Sequence, residues 1–330
     1  MSATTGPLGS GAMPAGSPGA SVPAIMDDPL ARTRATSLWR DTVSNILRQR
    51  SAIVGLVILG ILVLAAVFAP IIATHDPNAS MLQLHEQGAV KRSPPCIHAL
   101  GCAADKPEHL LGLDGNFRDV FSRVVFGARV SLGVGFASVF LAIIIGTLIG
   151  ATAGYAGGWV DNVLMRLMDV ILAFPSLLLA IAIVSALGRN LFNALLAIGI
   201  VAIPVYARIV RSSVLSLREA DFVTASRALG ESNRGILLRR ILPNSLTPIV
   251  VQGTLGIGGA VLEIAALTFV GVAGSLDVAE WGSMISVESQ QLLNAPHVIL
   301  VPGLAITLTV LGFNLLGDGL RDALDPRLNR

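Results

Sequence analysis

Six stretches of this chain stay apolar for the roughly 20 residues that a helix needs to cross a hydrocarbon layer. They run from Ala52 to Ala73, Val130 to Ala153, Leu167 to Leu187, Leu191 to Ile209, Leu246 to Val272 and Val298 to Leu316. No long alternation of apolar and polar residues competes with them. A segment inside lipid must satisfy its own backbone hydrogen bonds, which favours helices. The pattern predicts an all-α integral membrane protein with six transmembrane helices. Only Gly188, Arg189 and Asn190 separate the third stretch from the fourth, so these two should form a tight helical hairpin.

Composition points the same way. Of 330 residues, 53% are hydrophobic and 13% charged, too little charge to cover a soluble globule of this length. The net charge of +2 carries little information, but the placement of the 23 basic residues carries more. Arg32, Arg34, Arg40, Arg48 and Arg50 precede the first stretch, and Arg321, Arg327 and Arg330 follow the sixth. Between the fourth and fifth lie Arg208, Arg211, Arg218, Arg227, Arg234, Arg239 and Arg240, whereas Gly271 to His297 has no Lys or Arg. The positive-inside rule puts both termini and the Arg218 segment in the cytoplasm. The long loop over 74–129 is then outside, and long loops cross largely regardless of charge.

Residues 1–36, rich in Gly, Pro, Ser and Ala, read as a disordered cytoplasmic tail and lack the charged start and apolar core of a signal peptide. Residues 37–73 read as an interfacial helix, with Trp39 near the headgroups, leading into the first span. Residues 74–129 are the outer loop, 130–318 the transmembrane core, and 319–330 a cytoplasmic C-terminal tail. Cys96 and Cys102 both fall in the outer loop, where an oxidising compartment would let them close a small disulfide ring. His75, His85, His98 and His109 share that loop, but their spacing matches no zinc pattern, so no metal is expected.

Gly146, Gly150 and Gly154 form a stripe on the second span, suited to close helix packing within the bundle or at a subunit interface. Glu263 lies in the apolar, glycine-rich fifth span. A carboxylate at that depth belongs in a pathway, at an interface, or in a helix-packing hydrogen bond.

The chain has no phosphate-cradling loop of the G-x-x-x-x-G-K-S/T type, no H-E-x-x-H and no nucleophile elbow. It is expected to be non-catalytic, without a cofactor or a nucleic-acid partner of its own. Uphill transport would need an external engine acting through the only long inner segment between spans. There Phe222, Ala225, Leu229, Ile236, Leu237 and Ile241 offer apolar anchors around Gly230, which can join two short helices. Such a pair could enter a groove on a partner, or lie on anionic lipid.

That segment, Thr224-Ala225-Ser226-Arg227-Ala228-Leu229-Gly230 and then Leu242-Pro243, resembles the EAA motif of bacterial ABC importer permeases. Thr224 stands where the family has Glu, and Ser226 where it often has Ala. HLLGLDGNFRDVFSRVVFGARVSL, from His109 to Leu132, is similar to a motif of C-type subunits in dipeptide and oligopeptide importers. Leu113 and Phe117 replace its usual Thr and Gly. Gly157, Gly158, Asp161, Arg166, Asp169, the AFPSLLLA run, Glu263, Trp281-Gly282 and the segment from Pro302 to Leu328 fit the same family.

The resemblance implies a type I ABC importer permease fold, with coupling helices at about 217–242 formed around Phe222, Ala225, Ser226, Arg227, Leu229, Gly230, Leu242 and Pro243. It also implies a B-type permease partner, two ATPase subunits that bind ATP and Mg, an extracytoplasmic peptide-binding protein, and a bacterial inner-membrane location. Peptide is the expected cargo, and nickel or a metal chelate is the alternative. A secondary transporter or channel would show inverted repeats or paired broken helices, and a membrane enzyme would gather several ionisable groups at one depth.

Overall fold

The computed structural model describes residues 49–80, 90–274 and 277–324. The expected N-terminal tail, the interfacial helix ahead of Arg50 and the last residues of the C-terminal tail lie outside them. Helix α1 (Arg50–Val67) gives way at Phe68 to a single turn, α2 (Ala69–Ile72), with Pro70 in the first turn, where its missing N–H leaves nothing unsatisfied. Helix α3 (Val120–Ala156) begins at Asp119, whose carboxylate accepts from the Ser122 backbone N–H. Its 37 residues, at 1.5 Å each, make a rod of about 55 Å, longer than a bilayer core requires.

Gly157 and Gly158 end that rod with φ of 67° and 54°, left-handed values that glycine adopts without strain, and the chain turns into α4 (Gly158–Leu172). Here the structure corrects one expectation. The third stretch, Leu167 to Leu187, is not one continuous helix but falls on a bent pair, α4 and α5 (Ser176–Leu187), whose axes differ by 90° across Ala173 to Pro175. Pro175 has no N–H to continue the helix and disfavours helical backbone at Phe174. Hydropathy averages across such a break and cannot see it.

Helix α6 (Leu191–Arg218) follows the short connection at Gly188 and is capped by Asn190, which accepts from Asn193 N at 2.7 Å. The segment beyond it folds as α7 (Asp221–Ala228), α8 (Asn233–Gly235), a π-helical turn over Ile236–Ile241 and α9 (Leu242–Asn244). Helix α10 (Leu246–Phe269) matches the fifth apolar stretch. A short α11 (Trp281–Glu288), not foreseen from hydropathy, lies between it and α12 (His297–Leu324). Helix α12 continues past Leu316 into the first part of the expected C-terminal tail. Among the described residues five helices are long and apolar enough to cross a membrane, or six if the bent pair counts as one span.

The most extensive packing joins α3 to α6. Gly146, Gly150 and Gly154 face α6 directly. A Cβ on Gly146 would lie 2.7 Å from Tyr206 Cβ, one on Gly150 would collide with the Ala207 carbonyl, and one on Gly154 would lie 3.0 Å from the Arg211 carbonyl. The stripe therefore serves packing within this chain. Helix α12 packs on α1 and α10, again through small residues: a Cβ on Gly55 would come within 2.8 Å of Gly312 O.

Replacing Gly150 by leucine should force the two backbones apart and destabilise the bundle by at least the roughly 1–3 kcal/mol typical of overpacking. The measurement is thermal unfolding in detergent. Gly60→Ala is the control, because nothing lies within 4 Å of its added Cβ.

Candidate functional site

Three features stand out on this bundle: an exposed elbow after α6, a largely apolar cavity in the middle that holds one carboxyl group, and a tied cap at the opposite end. The elbow is anchored from beneath. Val223, Ile236 and Ile241 are fully buried and pack with Val210, Val214 and Ile249, so the side chains at 236 and 241 hold the segment to the bundle rather than point outward. Arg218 donates to the carbonyls of Gly154 and Tyr155 at 3.3 and 3.4 Å, and Tyr155 Oη bonds Asn233 Oδ1 at 3.0 Å. The base of the elbow is thereby fixed to the end of α3.

Its outer face is open. Leu229 is 88% exposed and Phe222 41%, with Ala225, Arg227 and Pro243 also exposed and Ser226 and Leu242 half-buried. Gly230 has φ 81°, a conformation that a side chain with a Cβ rarely takes, and it turns the chain between α7 and α8. The carboxylate of Glu231 accepts from Arg240 Nε at 3.1 Å and braces that turn. Of the apolar anchors expected from sequence, Phe222, Ala225 and Leu229 thus share the accessible side, while Ile236 and Ile241 do not. Val223, the buried anchor of α7, was not singled out by the sequence pattern.

Above the elbow, ion pairs join α6 to α4. Arg208 Nη2 donates to Asp169 Oδ1 at 2.6 Å, and Arg211 grips both Asp161 oxygens at 2.5 and 2.6 Å. Deeper still, a cavity of about 240 Å³ lies where the α4–α5 bend meets α3, α6 and α10. Glu263 lines it, along with Ser138, Ser176, Tyr206 and Gln252.

The cap at the far end contains most of the polar motif from His109 to Leu132. Asp119 is fully buried. Its carboxylate accepts from Ser122 N at 2.8 Å and meets His109 Nδ1 at 3.1 Å. Burial pushes the Asp119 carboxyl up, but the hydrogen bonds from His109 and Ser122 and the nearby His75 outweigh it and hold the group below its ordinary value. His75, His109 and Asp119 bring ligand-type atoms within 4.8 Å of one another. The His109–Asp119 bond and the helix cap at Ser122 already account for that arrangement.

Cys96 and Cys102 are joined in a disulfide, their Cα atoms 5.4 Å apart. Cys96 also exchanges both backbone hydrogen bonds with His109, at 2.9 and 3.0 Å, so the ring braces the residue that contacts Asp119. Arg123, 1% exposed, donates to the carbonyls of Pro77, Asp277 and Val278. Arg92 pairs with Glu288 at 2.7 Å, and Glu288 accepts from Gly115 N at 2.6 Å. Glu280, also 1% exposed, accepts from Ser131 Oγ, Thr268 Oγ1 and Ser283 N. Glu280 and Glu288 stand in no motif that marks them in the sequence. The one local sign of a role was Glu280 standing three residues before Ser283, the spacing of a helix cap.

Residues 146–330 match a family described as the binding-protein-dependent transport system inner membrane component, and residues 37–95 match the N-terminal TM domain of oligopeptide transport permease C. Over 294 residues the chain is 45% identical to the dipeptide transport system permease protein DppC of Alkalihalophilus pseudofirmus, covering 89% of this chain and 91% of that relative. It is 40% identical over 290 residues to the glutathione transport system permease protein GsiD of Escherichia coli O6:K15:H31, covering 88% and 91%. The fold aligns with a chain of the MetNI methionine ABC transporter in an inward-facing conformation, with a TM-score of 0.52 and 20% identity over 62% of this chain and 97% of the other.

Bundle, elbow and relatives together define a multi-pass permease of a bacterial inner-membrane ABC importer. The chain belongs to the binding-protein-dependent transport system inner membrane component family, on its permease C branch.

Two outcomes follow from the cap. Because the folded-state value of Asp119 is depressed, its stabilisation is complete above the ordinary aspartate range and is lost as pH falls through the lower native value. Amide exchange over 109–122 should therefore stay slow at neutral pH and accelerate only under strong acid. In Asp119→Asn the same segment should already exchange faster at pH 7, by the roughly 1–3 kcal/mol that an unsatisfied buried group costs. Reduction of the Cys96–Cys102 bond should shift the protein's electrophoretic mobility and speed exchange at His109. Alkylation of both thiols without reductant would contradict the pairing.

Proposed function

We propose that this chain is one of two permease subunits of an ATP-driven importer of short peptides. In this reading it pairs with a B-type permease, two ATPase subunits that bind ATP and Mg, and an extracytoplasmic peptide-binding protein. Both termini and the elbow face the cytoplasm, as the arginine distribution favours. Peptide cargo is favoured by the dipeptide and glutathione systems in which the similar permeases work.

The observation that carries the reading is the elbow itself. Leu229 and Phe222 are held out from the bundle on a segment whose own base is buried, and exposed apolar side chains on a rigid mount suit a partner's groove. Closure of the ATPases on ATP would push α7. The buried contacts of Val223 and Ile236 and the Arg218–Gly154 tie would pass that push to α6 and α3. Arg208 and Arg211 would carry it on to α4 and the bend beside the cavity. Alternating access follows if that wall moves with the elbow.

Phe222→Ser with Leu229→Ser should lower ATP-driven peptide uptake in proteoliposomes about tenfold or more, the effect expected when central apolar anchors are removed. The amount of protein in the membrane should not change. Gly230→Val should act in the same direction, because valine resists the positive φ at that turn. Full uptake in the double variant, or peptide transport by the purified chain without any ATPase, would refute the coupling role.

A further inference from the structure

Glu263 stands on the wall of the central cavity with Ser138, Ser176, Tyr206 and Gln252, and among the described residues no Lys, Arg or His lines that space. Two basic groups on α6 are paired elsewhere, Arg208 with Asp169 and Arg211 with Asp161. The carboxylate therefore has neutral neighbours. Ser176, the first residue of α5, lines the same wall within reach of the carboxyl. Among the described residues no fixed cation offsets the cost of burying its charge, and a cationic ligand would supply one.

The rest of the wall narrows the ligand. Ile198, Val201 and Val205 form an apolar side, and Gly259 leaves an open mouth, with nothing within 4 Å of where its Cβ would lie. Tyr206 projects its hydroxyl against Gly256, where any Cβ would collide with it. One carboxylate with hydroxyl and amide neighbours is a poor divalent-metal site, since such ions call for more anionic or imidazole donors. It suits a primary ammonium, which can donate to the carboxylate and to a hydroxyl beside it while its alkyl part meets the apolar side.

Resting on the peptide-import reading above, we propose that Glu263, with Ser176 beside it, receives the amino-terminal ammonium group of the passing peptide. Glu263 thereby selects for a free amine inside the membrane, after the binding protein has made its own choice.

The test uses the assembly of this chain with its partner permease and ATPases in nanodiscs, free of nucleotide and of binding protein. Radiolabelled Ala-Ala and N-acetyl-Ala-Ala are the probes, read by equilibrium dialysis. The wild-type assembly should bind the free amine about tenfold or more tightly than the acetylated form, the scale of a charge-assisted hydrogen bond. Glu263→Gln should bring the two affinities to within about twofold by weakening Ala-Ala alone, and Glu263→Asp should keep a preference for the amine.

An unchanged preference in Glu263→Gln overturns the assignment. So does an equal loss of both probes, which would mark Glu263 as a packing or subunit-contact residue, and so does a wild-type assembly that binds neither. The importer reading is judged separately, by ATP-driven uptake of Ala-Ala with the binding protein present. If wild-type uptake occurs while the amine preference survives in Glu263→Gln, only the amine site falls. If the wild-type assembly takes up no peptide with all partners present, the importer reading falls.

Discussion

No side chain separates α3 from α6 along Gly146, Gly150 and Gly154, and most of the structure is arranged around that backbone contact. In an apolar solvent helices gain little from hiding oily surface against each other, so close approach and dispersion must hold them. The contact fixes where α6 ends and so where the elbow begins. It also sets the reach of Arg218 to the Gly154 carbonyl, at 3.3 Å, and of Arg211 to Asp161 on the next helix. A bundle loosened here would lose its packing and its connection between elbow and cavity together.

The two ends of the molecule use polar residues in opposite ways. At the cap, Asp119, Glu280, Glu288 and Arg123 are nearly or fully buried, each given partners from distant parts of the chain. Buried charges held by several hydrogen bonds favour one geometry and resist change. At the elbow, Arg227, Arg234 and Arg239 are exposed, and the apolar Leu229 stands among them. One end is tied and the other presented, an arrangement that suits a lever.

Much of this was legible in the sequence. Each straight apolar run became a helix because the 20-residue length and the need for internal hydrogen bonding leave few alternatives. The glycine stripe was visible too, though its partner helix was not, since periodicity shows a face and not what meets it. The third span misled because Pro175 sits inside a run that remains apolar on both sides. The elbow's glycine and its exposed anchors were readable, but the inward turn of Ile236 and Ile241 depends on contacts with α6 and α10. The cap's network was hidden for the same reason: Ser131 and Glu280 are 149 residues apart.

The kink at Pro175 also says something about how the protein is made. Asp161 and Asp169 find their arginines on α6, 50 and 39 residues further along. While α4 and α5 leave the ribosome, those acids lack the arginines that hold them in the finished fold and have only Arg166 on their own helix. The ion pairs that hold the angled pair against α6 can form only once α6 has been synthesised and inserted beside it. The α4–α6 unit, rather than the single helix, is therefore the smallest piece in which this charge pairing is complete.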